Sequence, residues 1–228
     1  MAHRKQGYRF ENDYTYESRK ERAEKIWKSA VTIPVDVDIK AEHRVLNLDK
    51  VKEYLINARK INLMDCECRV EFQNCEAPLN VCISLNDRAE VHLESDDFKD
   101  YHPREVSVDE AVDVLKKSHE AGLVHLAYSL GEDREPDDVG VICSCCSCCC
   151  GILSGILRFG VAPHLLTSQA ISVTDTPDCT ECGVCAERCQ FGAREMVNSS
   201  LSFNPDLCFG CGLCVSTCPT NAITLVDK

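Results

Sequence analysis

Two cysteine motifs of identical spacing occupy the last quarter of the sequence. Residues 179–189 and residues 208–218 both read C-x2-C-x2-C-x3-C, and the second copy begins 29 residues after the first. Three cysteines at such short gaps let one loop wrap a corner of a compact inorganic centre. The fourth cysteine lies too far along the chain for the same loop to close on that centre. The duplication therefore predicts two metal–sulfur centres.

The cysteine content of the whole chain raises the choice between a metal protein and a disulfide scaffold. There are 18 cysteines among 228 residues, a density typical of either class. The segment from Met1 to Tyr8 leads into charged residues and has no apolar core of a signal peptide. We therefore expect a cytoplasmic protein, in which thiols stay reduced and bind metals.

Two further classes are disfavoured by charge and hydropathy. The formal net charge is −12, which argues against a general binder of nucleic acid or of anionic membranes. No apolar window is long enough for a membrane span. We expect no nucleic-acid partner and no membrane-spanning segment.

Zinc is the alternative metal for the eight carboxy-terminal cysteines. Zinc sites usually combine CxxC pairs that lie a dozen or more residues apart, and the two motifs lack that layout. Over residues 171–228 the sequence resembles the bacterial two-cluster ferredoxin domain. The resemblance implies that three cysteines of each motif join the fourth cysteine of the other around a [4Fe-4S] cluster. The implied ligands are Cys179, Cys182, Cys185 and Cys218 for one cluster, and Cys208, Cys211, Cys214 and Cys189 for the other.

One residue departs from the ferredoxin pattern. Pro219 follows the last cysteine of the second motif, as the resemblance leads us to expect, but Gln190 follows the last cysteine of the first. Proline would fix the turn after the ligand. We therefore expect a different backbone after Cys189, with its role as a ligand retained.

Ten further cysteines precede these motifs and form two groups in the sequence. They are Cys66, Cys68, Cys75 and Cys82, followed by Cys143, Cys145, Cys146, Cys148, Cys149 and Cys150. The first group has enough thiols for one cluster, and the crowding of the second has no explanation in side-chain packing. Disulfides between adjacent residues are strained, so we expect a metal centre in which not every thiol need be a ligand. Arg69 either donates to cluster sulfur or lies on the surface.

The same region carries a second resemblance. Residues 66–82 form a C-x-C-R…C…C element, residues 121–125 read Ala-Gly-Leu-Val-His, and residues 143–150 form a C-x-C-C-x-C-C-C run. In this order before two cubane motifs, the elements resemble ferredoxin-like dicluster iron–sulfur proteins with an extra cysteine-rich domain at the amino end. The resemblance implies redox proteins of anaerobic cells. It implies one or two further iron–sulfur clusters, cubane or non-cubane, and it does not name a reaction.

The rest of the chain predicts an α+β fold. Alternating apolar residues over 31–40 predict one half-buried strand, and helical spacing predicts helices over residues 47–61 and 107–121. Ser107 begins a capping box for the second helix. A short apolar run at residues 139–142 predicts a buried strand that leads to the crowded cysteines.

These elements suggest a division into three parts. We expect an amino-terminal extension over residues 1–30, a small α/β cysteine-rich iron–sulfur domain over residues 31–170, and a two-cluster ferredoxin-like domain over residues 171–228. His125 and His164 lie beside apolar residues and are expected to be core histidines, not ligands. No side chain is predicted to be catalytic.

Electron transfer is the function that these centres predict. At least three iron–sulfur clusters would relay low-potential electrons to or from an oxidoreductase partner, and the acidic chain favours a partner with a basic docking patch. The alternative is an oxidoreductase with an unusual catalytic cluster in the amino-terminal domain, fed by the two ferredoxin clusters. A carrier that hands a cluster or a metal to another protein is a third hypothesis. Neither a dinucleotide motif nor a P-loop indicates another chemistry.

Overall fold

A six-stranded antiparallel sheet forms the centre of the amino-terminal part. The computed structural model describes residues 30–33, 39–40, 48–128, 139–153, 157 and 170–227. Labels follow chain order, and the strands lie in the spatial order β1 (Ala30–Ile33), β6 (Val124–Tyr128), β7 (Val141–Cys145), β4 (Asn80–Leu85), β3 (Ile61–Asp65) and β5 (Arg104–Glu105). The central strands are buried along nearly their whole length. Both faces of the sheet are therefore covered.

Among the residues that the structure describes, four helices accompany this sheet. They are α1 (Leu48–Asn57), α2 (Glu67–Phe72), α3 (Asn86–Glu94) and α4 (Val108–Glu120), and a 3-10 helix spans Asp96–Tyr101. One face of the sheet packs on α1 and α4, where Val51, Leu55 and Leu115 meet Leu63 and Ile142 in one apolar core. These side chains are almost fully buried, and their burial stabilises the layer by about 1.5–3 kcal/mol per large residue.

The start of α4 confirms the Ser107 half of the predicted capping box, while the Glu110 carboxylate pairs with Arg104. The Ser107 side-chain oxygen accepts a hydrogen bond from the backbone N–H of Glu110 at 3.2 Å. This bond satisfies one of the amide groups that a helix leaves without a partner in its first turn. After the helix, Gly122 adopts a φ of +87°, and a Cβ at this position would lie 2.9 Å from the Arg188 guanidinium. The positive φ favours glycine at this turn, and the Arg188 guanidinium packs against it.

The opposite face of the sheet meets the carboxy-terminal part of the chain. Val124, Leu126 and Cys145 lie on this face and pack with Phe191 and Leu213 in a second apolar core. The predicted strand at residues 139–142 is confirmed in part, since β7 begins at Val141 and continues through the first crowded cysteines. The sheet thus presents β7 cysteines toward the carboxy-terminal part.

The carboxy-terminal part has two small sheets and two short helices. A three-stranded sheet has the order β2 (Ile39–Lys40), β11 (Ile223–Asp227) and β8 (Ala170–Thr174), and a hairpin pairs β9 (Arg194–Val197) with β10 (Ser200–Phe203). The helices are α5 (Val184–Arg188) and α6 (Leu213–Ser216), and a 3-10 turn spans Pro205–Leu207. The duplicated motif is visible here, because Gly183 and Gly212 precede the two helices with φ near 80° in both cases.

Two predicted elements differ from the structure. The single strand predicted over residues 31–40 is wrong, because β1 joins the six-stranded sheet and β2 pairs in parallel with β11. β1 ends at the residue before Pro34, and proline has no N–H for a strand ladder. The helix predicted over residues 47–61 ends at Asn57, and Ile61 reaches the same core from β3. Within the described residues, each helix is too short or too polar to cross a lipid bilayer.

Candidate metal centres

The two carboxy-terminal motifs place their cysteines around two cavities. One cavity is lined by Cys179, Cys182, Cys185 and Cys218. The other is lined by Cys189, Cys208, Cys211 and Cys214. Each cavity thus combines three cysteines of one motif with the last cysteine of the other, which is the grouping that the ferredoxin resemblance implies. The crossing arises because α5 and α6 pack against each other and bring each motif's end to its neighbour.

Hydrogen-bond donors lie beside two of these thiols, Cys208 and Cys218. The backbone N–H and the hydroxyl of Ser172 each lie 3.5 Å from the Cys208 sulfur. Burial opposes ionisation of Cys218, but the Thr220 hydroxyl and nearby backbone amides hold its pKa below the ordinary value. Hydrogen bonds of this kind stabilise thiolates and tune a bound centre. The donor set, four thiols around each cavity, fits an iron–sulfur cubane.

Arg194 provides a buried positive charge for both cavities. Its side chain is 1% exposed, donates to Thr174 at 2.7 Å and to Ser172 at 3.0 Å, and lies over the Phe203 ring. Burial raises the pKa of Cys185 and of Cys214, the latter to about 11, and the Arg194 charge partly offsets both increases. Sequence analysis missed this residue because Arg194 lies outside both cysteine motifs, and no motif indicates that it is buried beside them.

The ten amino-terminal thiols form three groups in space, where the sequence suggested two. The first, called the Cys75 quartet, brings together Cys75, Cys146, Cys148 and Cys149, whose sulfur atoms all lie within 4.8 Å of one another. Three of its members are buried. Hydrogen bonds from the Cys148 and Cys149 thiols lower the pKa of Cys146 to about 5. This quartet joins the loop before β4 to the loop after β7.

The second group, called the Cys66 quartet, consists of Cys66, Cys68, Cys82 and Cys143. Cys66 is hydrogen-bonded to Cys68, and Cys82 to Cys143. The charge of Cys66 also acts on Cys82, and that of Cys143 on Cys66. The strand register explains the contact between Cys82 and Cys143, since Ile83 pairs with Ile142 in the antiparallel ladder and their neighbours Cys82 and Cys143 therefore lie opposite each other. Two thiols from the strands β4 and β7, one from α2 and one from the residue before α2 thus converge on one place.

The last two thiols form the Cys145–Cys150 pair. Their sulfur atoms are 3.1 Å apart, and both side chains are buried. The Tyr128 hydroxyl lies 3.7 Å from the Cys145 sulfur, and the Cys150 sulfur accepts from the backbone N–H of Leu153 at 3.5 Å. The pair adjoins the Cys66 quartet, because Cys145 is hydrogen-bonded to Cys143.

Arg69 lies inside the protein, so its interpretation as a surface arginine is wrong. Its guanidinium donates to the carbonyl oxygens of Pro78 at 2.5 Å and Ser144 at 3.0 Å, and it lies 3.7 Å from the Cys146 sulfur. Burial lowers its pKa, but the Cys146 and Cys66 thiolates raise it above the ordinary value overall. Arg69 therefore remains charged between the two quartets.

Gln190 connects the ferredoxin-like part to the crowded cysteine loop. Its side-chain oxygen accepts from the Ser147 backbone N–H at 2.6 Å, and its amide nitrogen donates to the Gly122 carbonyl. A proline here could make neither bond. The departure from the ferredoxin pattern was visible in the sequence, but its purpose was not. His119 adds a second link through a 2.7 Å contact with the Ser216 hydroxyl.

His125 is confirmed as a core histidine. It is 1% exposed, and its Nδ1 lies 3.1 Å from the Ser144 hydroxyl oxygen. Burial lowers the pKa of His125 to about 3, so it is neutral at pH 7. Ser144 therefore contacts a histidine through its hydroxyl and Arg69 through its carbonyl. His164 lies outside the described residues.

Comparison with known proteins agrees with the carboxy-terminal geometry. Residues 201–224 match the family described as a 4Fe-4S binding domain. The chain is 38% identical over 57 residues to the pyruvate synthase subunit PorD of Methanocaldococcus jannaschii, which covers 25% of this chain and 66% of the relative. It is 43% identical over 44 residues to an uncharacterized ferredoxin of the same organism, covering 19% of this chain and 26% of that protein. The chain thus spans less than two thirds of each relative's length. Its carboxy-terminal part contains an iron–sulfur ferredoxin-like domain.

Proposed function

We propose that this protein transfers low-potential electrons to or from an oxidoreductase partner. The observation that carries the proposal is the pair of adjoining cavities, each lined by four cysteines of the ferredoxin-like domain. [4Fe-4S] cubanes held there supply one-electron chemistry. The similarity to a pyruvate synthase subunit supports an oxidoreductase complex as the partner, and the net charge of −12 favours a basic docking surface on it.

A third cluster is proposed for the Cys66 quartet. Two of its members, Cys82 and Cys143, pack against the apolar core that also includes Cys189 and Cys211 of the ferredoxin-like part. Phe191 of that core stacks on Phe209, with ring centroids 4.4 Å apart. The packed apolar side chains of this core exclude water from the space around the thiols. This arrangement supports a relay of three clusters, two in the ferredoxin-like part and one at the Cys66 quartet.

The direct test is an anaerobic redox titration of the full chain, followed by electron paramagnetic resonance. We expect reversible one-electron reduction at low potential, with the spectrum of cubanes that interact with one another. Reduction by pyruvate through a pyruvate synthase that lacks its PorD subunit would identify the class of partner. Colourless protein, or centres that cannot be reduced and reoxidised, would contradict the proposal.

The enzymatic alternative is favoured by one observation, the two additional thiols beside the Cys66 quartet. Cys145 and Cys150 lie next to Cys143 and provide ligands for a cluster larger than a cubane. More than four iron atoms bound there, or reoxidation of the reduced protein by an organic substrate without a partner, would support it. Release of metal to another protein is disfavoured, since most of the crowded thiols are buried.

Arg194 is expected to raise the reduction potentials of both ferredoxin-like centres. A reduced cubane carries one more negative charge, and a buried guanidinium beside it stabilises that charge. Replacing Arg194 by glutamine should lower both potentials by on the order of 50 mV, which corresponds to about 1 kcal/mol per electron. The measurement is the same titration. The Arg104→Gln variant is the control, because Arg104 pairs with Glu110 at the surface; equal shifts in both variants would contradict the expectation.

A further inference from the structure

We propose that the Cys75 quartet binds a single zinc ion in a closed tetrahedral site, and not an iron–sulfur cluster. This inference goes beyond the proposed function, which concerns the ferredoxin-like cavities and the Cys66 quartet. The sequence grouped all ten amino-terminal cysteines as candidates for iron–sulfur ligands. The structure separates four of them by the distances between their sulfur atoms.

The sulfur–sulfur distances match one ion. Cys75 lies 3.8 Å from Cys146 and 3.9 Å from Cys149, and Cys148 lies 3.9 Å from Cys149. All four sulfur atoms lie within 4.8 Å of one another. Zinc–thiolate bonds are about 2.3 Å long, so the sulfur atoms of a regular tetrahedron around zinc are about 3.8 Å apart. A cubane attaches each thiolate to a different iron, which separates the sulfur atoms further.

The ferredoxin-like cavities provide an internal comparison of size. Each is also lined by four cysteines, yet neither of these sets has its sulfur atoms within 4.8 Å of one another, as the Cys75 quartet does. All eight of those cysteines are among the described residues. The same chain therefore holds two kinds of four-thiol site, one wide and one narrow. The narrow site has no room for a four-iron core.

The surroundings of the quartet suit a closed structural site. Cys146, Cys148 and Cys149 are 0%, 1% and 0% exposed, and four protein ligands leave no open position for a substrate. Four thiolates on a divalent ion carry a net charge of about −2, and Arg69 places a positive charge 3.7 Å from the Cys146 sulfur. The Asn74 side chain donates to the Cys148 carbonyl at 2.9 Å and so fixes the loop that supplies three ligands.

The place of the quartet in the fold suits a structural ion. Its apolar surroundings contain Phe72, Val81 and Leu123, and Cys66 and Cys68 of the Cys66 quartet pack against them. An ion without redox chemistry can serve there as a link between two loops whose cysteines are 71 residues apart in sequence. Thiolate sites also bind zinc more tightly than ferrous iron.

The test counts zinc and iron separately in the full chain purified without oxygen. We expect one zinc per chain, and X-ray absorption at the zinc edge should give four sulfur neighbours at about 2.3 Å. The Cys75→Ser variant changes the one half-exposed ligand. Its zinc content per chain should fall at least tenfold, and its iron content should stay the same. The matched control is Cys145→Ser, which removes a neighbouring thiol outside the quartet and should keep the zinc.

The metal counts distinguish zinc from iron in the quartet, and they distinguish failure of this inference from failure of the proposed function. Absence of zinc, with about four iron atoms lost in Cys75→Ser, would overturn the inference and leave electron transfer intact. A single iron ion in the quartet would overturn the choice of zinc. If Cys75→Ser fails to fold, the zinc count and the absorption spectrum of the unmodified chain still decide the question, because neither requires a variant.

Discussion

Replacing Cys218 by serine should remove about four iron atoms per chain, and the lost iron should come from the first motif although Cys218 belongs to the second. Cys218 lines the cavity formed by Cys179, Cys182 and Cys185. Serine is a much weaker ligand for iron than thiolate, so a cubane at that cavity would lose one of four attachments. By the same reasoning, Cys189→Ser should empty the cavity lined by the second motif.

Double variants decide whether the motifs share ligands. Cys218→Ser combined with Cys179→Ser should lose no more iron than either change alone, because both residues line one cavity. Cys218→Ser combined with Cys208→Ser should lose about eight iron atoms, four from each cavity. Iron analysis and the visible spectrum measure both. The reverse pattern, with the larger loss in the first pair, would mean that each motif closes on its own cluster.

Replacing Arg69 by methionine should destabilise the amino-terminal part of the protein more than any other single charge removal considered. The change leaves two buried carbonyls, of Pro78 and Ser144, without their donor, and the Cys146 sulfur without its positive neighbour. Breaking a buried ionic contact by removing one partner typically costs about 3–5 kcal/mol. For a chain of this size, that lowers the unfolding temperature by roughly 10 °C.

Thermal unfolding without oxygen measures this effect against two further variants. Arg69→Lys keeps the charge but cannot reach two carbonyls and a sulfur atom at once, so the decrease in its unfolding temperature should be intermediate. Arg59→Met removes the same charge from an exposed pair with Asp87, where the expected change is below about 1 kcal/mol. Equal unfolding temperatures for Arg69→Met and Arg59→Met would contradict a structural role for the buried guanidinium.

The elements that sequence analysis located correctly depend on short-range signals. The capping box at Ser107 predicted the start of α4, and the bond to Glu110 confirms it. The duplicated spacing predicted two equivalent centres, and two equivalent glycine turns precede α5 and α6. The strand predicted over residues 31–40 failed because alternation reports the two faces of a strand but not its partner. β1 and β2 found partners in different sheets.

The sequence by itself determined the iron–sulfur chemistry of the carboxy-terminal part, because cysteines with two or three residues between them act within one loop and require no knowledge of the fold. Only the tertiary structure decided how the ten other thiols divide into a narrow quartet, a second quartet and a close pair. Their partners lie more than 70 residues apart in some cases, and strand pairing sets those distances. The roles of Arg69, Arg194 and Gln190 were also visible only in the tertiary structure, because a buried charge or amide acts through neighbours that folding brings to it.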